Sequence, residues 1–171
     1  MTTALLTHPD CHGHINPEGH PEQVARLHEV LKALDGKDLL REDAPMADDA
    51  TIQLCHPLAH LDALNAAAPE SGMVQLDADT YMTPGSLVAA YRAAGAAVRA
   101  VDMVMGGEAE NAFVACRPPG HHAEAERPMG FCLFGTAAIA AKHALERHGL
   151  SRVAVVDFDV HHGNGTQDLL W

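Results

Sequence analysis

The run Val153-Ala-Val-Val-Asp-Phe-Asp-Val-His-His-Gly-Asn-Gly165 constrains the fold more than any other part of the chain. Its apolar first half is typical of a buried strand, and the glycines at its end predict a turn. Alternate residues of a strand share a face, so Asp157, Asp159 and His161 would point the same way. Carboxylate and imidazole groups are zinc ligands, and a lone carboxylate is too costly to bury. The run predicts a strand that ends in part of a metal site, with solvated strand-end residues as the alternative.

A second cluster of histidines follows another strand-like run. Residues 112–116 are apolar, and the stiff turn Arg117-Pro-Pro-Gly-His-His122 comes directly after them. Tandem imidazoles suit proton transfer near neutral pH. Asp157 beside one imidazole would favour its charged form, whereas the neutral amide of Asn164 beside the other would orient it with little effect on charge. Taken alone, a His-His pair is more often two loop residues.

The chain alternates short apolar runs with helical patterns. Strands are predicted at 4–7, 112–116 and 153–157, and helices are predicted from Pro21, over 57–68, after Ser86, over about 136–148 and from near Thr166. This alternation indicates an α/β fold of three layers, α/β/α, with a parallel sheet between helices. Ligands of such folds bind at the carboxyl ends of the strands, where both histidine clusters fall.

Composition narrows the classes of partner. A formal charge of −12 argues against direct binding of nucleic acid, which needs basic patches, and is compatible with cationic substrates. No uncharged apolar run approaches the length of about 18 residues that a membrane span needs, and the first residues lack the pattern of a secretory signal. We expect a cytoplasmic protein that has no membrane partner and keeps its cysteines reduced.

Three motifs together resemble the zinc-dependent histone deacetylase and acetylpolyamine amidohydrolase family. They are Arg117-Pro-Pro-Gly-His-His122, Gly130-Phe-Cys132 and Asp157-Phe-Asp-Val-His-His-Gly-Asn-Gly165. Their order and separations follow the family pattern. The asparagine at position 164 resembles the residue found there in the class II and bacterial branch of the family. A weaker similarity extends through 77–86 to 20–27. The resemblance implies an arginase/deacetylase-like fold and a single domain over residues 1–171, truncated at its C-terminus.

The resemblance also implies roles for the residues of the two histidine clusters. Asp159 and His161 would be two of three Zn²⁺ ligands, and the third ligand and the carbonyl-polarising residue would come from segments beyond this chain. His121 and His122 would be the catalytic acid/base pair. Asp157 and Asn164 would be the partners of that pair.

Further roles follow from the same resemblance. Gly130 and Phe131 would line a tunnel for the substrate, and Asp79 would hold the substrate backbone. Arg26 would lie in a channel through which acetate leaves. The main-chain carbonyls around Asp157, Asp159 and His161 would bind a structural K⁺ ion.

The activity implied is removal of acetyl groups from acetylated amines, either protein acetyl-lysine or acetylpolyamine, by zinc-activated water. One alternative is a noncatalytic truncated remnant or an acyl-lysine-binding module. Another is an arginase-like manganese ureohydrolase, which the motifs fit poorly. If the sheet needs further strands, its open edge invites pairing with a second copy, which leaves a homo-oligomer open.

Overall fold

The computed structural model describes residues 1–171, with five strands, six α-helices and one short 3-10 helix. The strands are β1 (Thr3–Thr7), β2 (Leu40–Asp43), β3 (Val74–Gln75), β4 (Tyr81–Met82) and β5 (Asn111–Val114). The helices are α1 (Val24–Ala33), α2 (Asp49–Ile52), α3 (Leu58–Ala67), α4 (Ser86–Met105), α5 (Thr136–Arg147) and α6 (Asn164–Leu170), and the 3-10 helix covers Pro9–Gly13. None of these helices combines the length and the apolar character that crossing a membrane requires.

The central sheet has three parallel strands in the order β2-β1-β5. Its register places Ala4 of β1 opposite Leu40 on one side and Ala112 on the other. A separate pair of short antiparallel strands, β3 and β4, brings Val74 opposite Met82. Parallel neighbours require crossover connections, and here the crossovers carry the helices.

Side-chain alternation along β1 divides the core into two layers. Leu5 packs on one face of the sheet with Leu27 of α1, whereas Ala4 and Leu6 pack on the other face with Met103 and other buried residues of α4. A strand buried on both faces is typical of a parallel sheet between helices. The predicted three-layer α/β/α architecture is confirmed. The buried alanines of α4 let its axis approach the sheet closely.

The predicted strand at 153–157 is wrong. Residues 152–161 make no backbone-to-backbone hydrogen bond, and the side chains of Val156, Phe158 and Val160 are 83%, 98% and 91% exposed. An apolar run becomes a strand only when a neighbouring strand satisfies its backbone groups, and no described segment pairs with this one. Asp157 and Asp159 are consequently partly solvated, with side chains 33% and 49% exposed, and are not buried carboxylates.

The structure also differs from the sequence prediction at several boundaries. The strands β2, β3 and β4 were not predicted, and α1 begins at Val24 instead of Pro21. Glu22 is held outside the helix because its carbonyl oxygen accepts a hydrogen bond of 2.6 Å from Asn16 Nδ2. A tertiary contact therefore overrides the local helix-start signal of the proline.

Arg117 and Glu22 form an ion pair that is almost fully buried. Their exposed fractions are 4% and 1%, and Arg117 Nη2 donates to Glu22 Oε2 at 2.6 Å while Nε donates to Oε1. Arg117 Nη1 also donates to the carbonyl oxygens of Cys11 at 3.2 Å and His14 at 2.8 Å. One guanidinium thus joins the end of β5, the segment before α1 and the loop after β1.

His14 extends this buried group towards α4. Burial lowers the pKa of His14 to about 4, so its ring is neutral at physiological pH. Its Nδ1 lies 2.8 Å from Ser86 Oγ at the start of α4, and its Nε2 lies 3.5 Å from Glu22 Oε2. Because the ring is neutral, the contact with Glu22 is a polar contact and not a second ion pair.

We expect Glu22→Ala to lower the free energy of unfolding by about 3–5 kcal/mol, because it leaves the buried charge of Arg117 unpaired. Urea unfolding followed by circular dichroism measures this loss. Glu29→Ala is the matched control, since its carboxylate lies 3.5 Å from Lys32 Nζ on the surface and both side chains are mostly exposed. A loss from Glu22→Ala no larger than that of the control would contradict the role given to the buried pair.

Candidate active site

Nine of the predicted site residues line one cleft at the carboxyl end of β5. Its walls are formed by the loop after β5, the loop between β3 and β4, the start of α1 and the segment 156–161. The nine residues are Arg26, Asp79, His121, His122, Gly130, Phe131, Asp157, Asp159 and His161. The tenth, Asn164, lies behind the cleft wall as the first residue of α6. The fold thus brings together side chains that lie far apart in the sequence and were predicted as one site.

His121 is held by a carboxylate. Its Nδ1 lies 2.8 Å from Asp157 Oδ2, and the backbone N–H of Asp159 donates to Asp157 Oδ1 at 3.1 Å. These hydrogen bonds, that of His121 first, lower the pKa of Asp157 below its usual value, so the carboxylate is ionised at neutral pH. An ionised carboxylate only accepts, so His121 carries a proton on Nδ1.

His122 is held by a neutral amide. Its Nδ1 lies 2.7 Å from Asn164 Oδ1, and Asn164 Nδ2 donates to Glu124 Oε1 at 2.8 Å. The carboxylate of Glu124 can only accept, which fixes the orientation of the amide and turns its oxygen towards the ring. His122 therefore donates from Nδ1, and in the neutral ring Nε2 is left as a proton acceptor.

Glu124 was missed by the sequence analysis. It lies two residues after His122 in a loop, and it forms an isolated bridge with Arg127 that folds the loop back on itself. A polar residue that follows a histidine pair so closely is a weak signal, because loop carboxylates are usually solvated. Only the fold shows that its side chain reaches Asn164.

Three glycines let the backbone approach the histidine pair. A Cβ on Gly130 would lie 2.6 Å from His122 Cβ, one on Gly165 would lie 2.6 Å from the carbonyl carbon of His122, and one on Gly163 would lie 2.5 Å from Asp157 Oδ2. Real Cβ atoms do not come so close to other heavy atoms. The glycines of the 157–165 motif therefore serve close packing of α6 and its preceding turn against the histidines.

Asp159 and His161 lie at the mouth of the cleft. The backbone N–H of His161 donates to Asp159 Oδ1 at 2.8 Å, and His161 Nδ1 lies 2.9 Å from the same oxygen. The backbone hydrogen bond from His161 lowers the pKa of Asp159, and the contact with the His161 ring lowers it further. The ring of His161 is centred 6.0 Å from that of His122. An ionised carboxylate and an imidazole beside an acid/base pair have the donor chemistry of part of a zinc site, although no third acidic, histidine or cysteine ligand joins them.

Phe131 projects into the cleft from a strained backbone. Phe131 has a φ of +70°, in the left-handed region that residues other than glycine rarely adopt. Its backbone N–H donates to Thr80 Oγ1 at 3.0 Å. The ring of His20 packs edge-on against it, with the ring centres 4.6 Å apart. A left-handed phenylalanine costs about 1–3 kcal/mol and persists only where its surroundings fix it, which is typical of binding sites. Thr80 and His20 were not among the predicted site residues.

Asp79 and Arg26 both line the cleft, and both are exposed. Thr80 Oγ1 donates to Asp79 Oδ1 at 3.2 Å, and the carbonyl oxygen of Asp79 lies 3.0 Å from His20 Nε2. Asp79 therefore has a fixed main chain and a carboxylate at the rim. Arg26, in the first turn of α1, contributes a positive charge on the side nearer the buried Arg117–Glu22 pair.

Comparison with known proteins gives one consistent family. The model of the histone deacetylase domain matches residues 20–171. A histone deacetylase-like amidohydrolase of Pseudomonas aeruginosa is 42% identical over 153 residues, which are 88% of this chain and 40% of that protein. A probable deacetylase of Methanothermobacter thermautotrophicus is 41% identical over 164 residues, which are 95% of this chain and 48% of that protein.

A solved structure agrees with this similarity. The crystal structure of the HDA15 HD domain superposes with a TM-score of 0.92 at 33% sequence identity, and it covers 99% of this chain. The superposition takes up 50% of the chain in that crystal structure. The chain thus spans half or less of the length of each of these relatives.

We expect Gly165→Ala to lower the free energy of unfolding by about 1–3 kcal/mol, because its Cβ overlaps the peptide after His122. An alanine usually stabilises a helix relative to glycine, so the sign of the change reports the overlap. Urea unfolding measures the loss, and the NMR signal of the His122 Nδ1 proton reports whether the contact with Asn164 survives. Thr166→Ala, at the next position, adds no atom and is the control; an unchanged or higher stability of Gly165→Ala would contradict the packing argument.

Proposed function

Because the chain belongs to the histone deacetylase family, we propose that the protein is a zinc-dependent amidohydrolase that removes acetyl groups from acetylated amines. The observation that carries the proposal is the arrangement of His122, whose Nδ1 is bound to Asn164 while its ring faces His161 across the cleft. Hydrolysis of an amide by activated water needs a proton acceptor next to a metal ion. Here the acceptor is His122, and Asp159 and His161 beside it are of the residue types that bind zinc. Residues 1–171 would form a single deacetylase-like domain that contributes part of this site.

Asp159 and His161 would hold the zinc ion, together with a third ligand from outside the described residues. Their carboxylate and imidazole are partly exposed and lie 2.9 Å apart, so both can turn towards an ion at the cleft mouth. When bound, zinc supplies a Lewis acid that polarises the acyl carbonyl and lowers the pKa of water. The main-chain carbonyls around Asp157, Asp159 and His161 would bind the structural potassium ion.

The two histidines would move the proton. His122 accepts the proton of the attacking water at Nε2, since its Nδ1 is occupied by the hydrogen bond to Asn164. His121 lies against it, with the ring centres 4.0 Å apart, and the carboxylate of Asp157 balances positive charge on the pair. The pair then returns a proton to the leaving amine, so no covalent intermediate on the protein is required.

The remaining cleft residues would position the substrate. The apolar ring of Phe131 and the bare backbone of Gly130 suit the methylene stem of an acylated lysine or polyamine, and Asp79 at the rim suits an amide or ammonium donor. Arg26 would attract the acetate anion as it leaves. A formal charge of −12 favours cationic substrates over nucleic acid.

We expect His122→Ala in the whole protein to lower kcat for an acetyl-lysine peptide by about 10²–10⁴-fold, because proton transfer is lost, while bound zinc stays unchanged. Peptide hydrolysis and zinc content are measured on the same sample. His162→Ala is the matched control, since His162 is exposed and lies outside the cleft. Full turnover in His122→Ala with normal zinc content would overturn the proton-transfer role.

We expect His161→Ala to remove the zinc of the cleft, because two protein ligands hold the ion far less well than three. Zinc content after gel filtration measures the loss, and turnover should fall with it. His121→Ala, which changes an imidazole of the same cleft that is not a proposed ligand, serves as the comparison for zinc content. Retention of cleft zinc in His161→Ala would show that other residues hold the ion.

The alternative of a noncatalytic acyl-lysine-binding module has its own signature. It would bind an acetyl-lysine peptide but neither retain zinc in the cleft nor hydrolyse the peptide. Assay of both the 171-residue chain and a chain as long as the relatives separates the two readings. Turnover by the 171-residue chain alone would mean that a second copy or an unassigned residue completes the site.

A further inference from the structure

Asp102, His143 and His148 bring three potential metal ligands together away from the cleft. Asp102 lies near the end of α4, His143 lies in α5, and His148 is the C-cap residue of α5. The Nε2 atoms of both histidines lie 2.7 Å from the same oxygen, Asp102 Oδ1. All three ligand atoms are within 4.8 Å of one another, and none of the three residues lines the cleft.

The two histidines are five residues apart at the end of α5. Residues five apart in a regular helix point about 140° away from each other. His143 lies within α5 and His148 follows its last residue, Arg147, yet both Nε2 atoms reach Asp102 Oδ1, and the ring centres are 5.5 Å apart.

The charges around the group are mixed. Arg99, three residues before Asp102 on α4, is bound by both Glu42 at 2.7 Å and Glu108 at 2.8 Å, so its charge is balanced. Lys142 and Arg147 are the chain neighbours of His143 and His148, and Glu146 lies between these two cations in sequence. Partial burial raises the pKa of Asp102, but hydrogen bonds from His143 and His148 outweigh that effect and lower it, so the carboxylate is ionised.

The accessibility of the three side chains suits an ion that keeps water as a further ligand. Their exposed fractions are 40% for Asp102, 15% for His143 and 25% for His148, so the group is open on one side. Two imidazoles and a carboxylate are a ligand set that zinc accepts with an open position. Tetrahedral bonds of about 2.0–2.1 Å would separate the ligand atoms by about 3.3 Å, against 2.7 Å now, which side-chain rotation can supply.

We propose that Asp102, His143 and His148 form a second site for a divalent transition-metal ion such as Zn²⁺, which joins the ends of α4 and α5. The ion takes the place of the two Nε2 protons that now point at Asp102 Oδ1. Each neutral imidazole then carries its proton on Nδ1, and two metal–nitrogen bonds and one metal–oxygen bond replace the two hydrogen bonds. Because the ligands come from two helices, the ion binds the folded chain and not the unfolded one, and it therefore stabilises the packing of α4 on α5.

The test uses the full chain carrying Asp159→Ala and His161→Ala, so that the proposed ligands of the cleft are absent. Zn²⁺ is titrated by calorimetry, and the melting temperature is recorded with and without Zn²⁺. We expect one ion per chain and a rise of about 5–10 °C in melting temperature at a hundredfold excess over Kd. His148→Ala should weaken Zn²⁺ binding by at least about tenfold. Removing a residue that only hydrogen-bonds to a metal ligand already costs about tenfold, and His148 would be a ligand itself.

Two further variants separate metal binding from the hydrogen bonds. His143→Gln can still donate to Asp102 but is a poor zinc ligand, so it should keep the melting temperature of the zinc-free protein and lose the rise with Zn²⁺. His8→Ala is the matched control, because His8 Nδ1 also lies close to a carboxylate, 3.0 Å from Asp10 Oδ2, without a second imidazole. Absence of Zn²⁺ binding, or binding that His143→Gln and His148→Ala weaken no more than His8→Ala does, would overturn the proposal.

The result is independent of the proposed deacetylase activity. Failure of the cleft to hold zinc would leave binding at Asp102 unchanged, since the cleft ligands are already removed in the test protein. Conversely, loss of the α4–α5 site would leave the zinc content and turnover expected of the cleft intact.

Discussion

The buried ion pair between Arg117 and Glu22 is the constraint on which the rest of the site depends. Arg117 opens the turn that carries His121 and His122, and Glu22 belongs to the segment before α1 that also lines the cleft. Burying both charges is costly unless every donor of the guanidinium finds an acceptor. Glu22 accepts from Nε and Nη2 and the carbonyl oxygens of Cys11 and His14 accept from Nη1, so four of the five N–H groups are paired, and the loop after β1 is fixed by the same requirement. Charge satisfaction thus determines where three separate loops meet.

The sequence predicted those parts of the fold whose pattern is decided locally. The alternation of apolar strands and amphipathic helices identified β1, β5 and the long helices, because each buries one clear set of side chains against a neighbour. It missed β2, whose residues Leu40–Asp43 are mostly polar and exposed and whose strand character comes only from pairing with β1. The error at 153–157 has the opposite origin. Val153 and Val155 have the composition of a strand but no hydrogen-bonded neighbour.

The candidate site was predicted where motif and chemistry agreed, and missed where side chains act on other side chains. The tandem histidines, the Asp157–His161 run and Asn164 carry recognisable ligand and proton-transfer chemistry. The fold brings the histidines and the run to one cleft, with Asn164 hydrogen-bonded to His122 behind its wall. Glu124 orients Asn164 from a loop, and Thr80 supports Phe131 through a hydroxyl. Neither has a pattern of its own. Asp102 is 41 residues from His143 and 46 residues from His148 in the sequence, and only the packing of α4 on α5 brings these side chains together.

The tight packing around His122 bears on the proton transfer proposed for this residue. Its ring is confined by the bare backbone of Gly130, by the neighbouring ring of His121 and by the amide oxygen of Asn164, which is itself held by Glu124. A side chain with so few alternative rotamers loses its torsional entropy when the chain folds. It therefore does not have to become ordered again each time a substrate binds. Because Gly130 lacks a side chain, its backbone packs against the imidazole of His122 and holds the ring in one orientation. In the proposed mechanism this would lower the reorganisation needed at the moment of proton transfer.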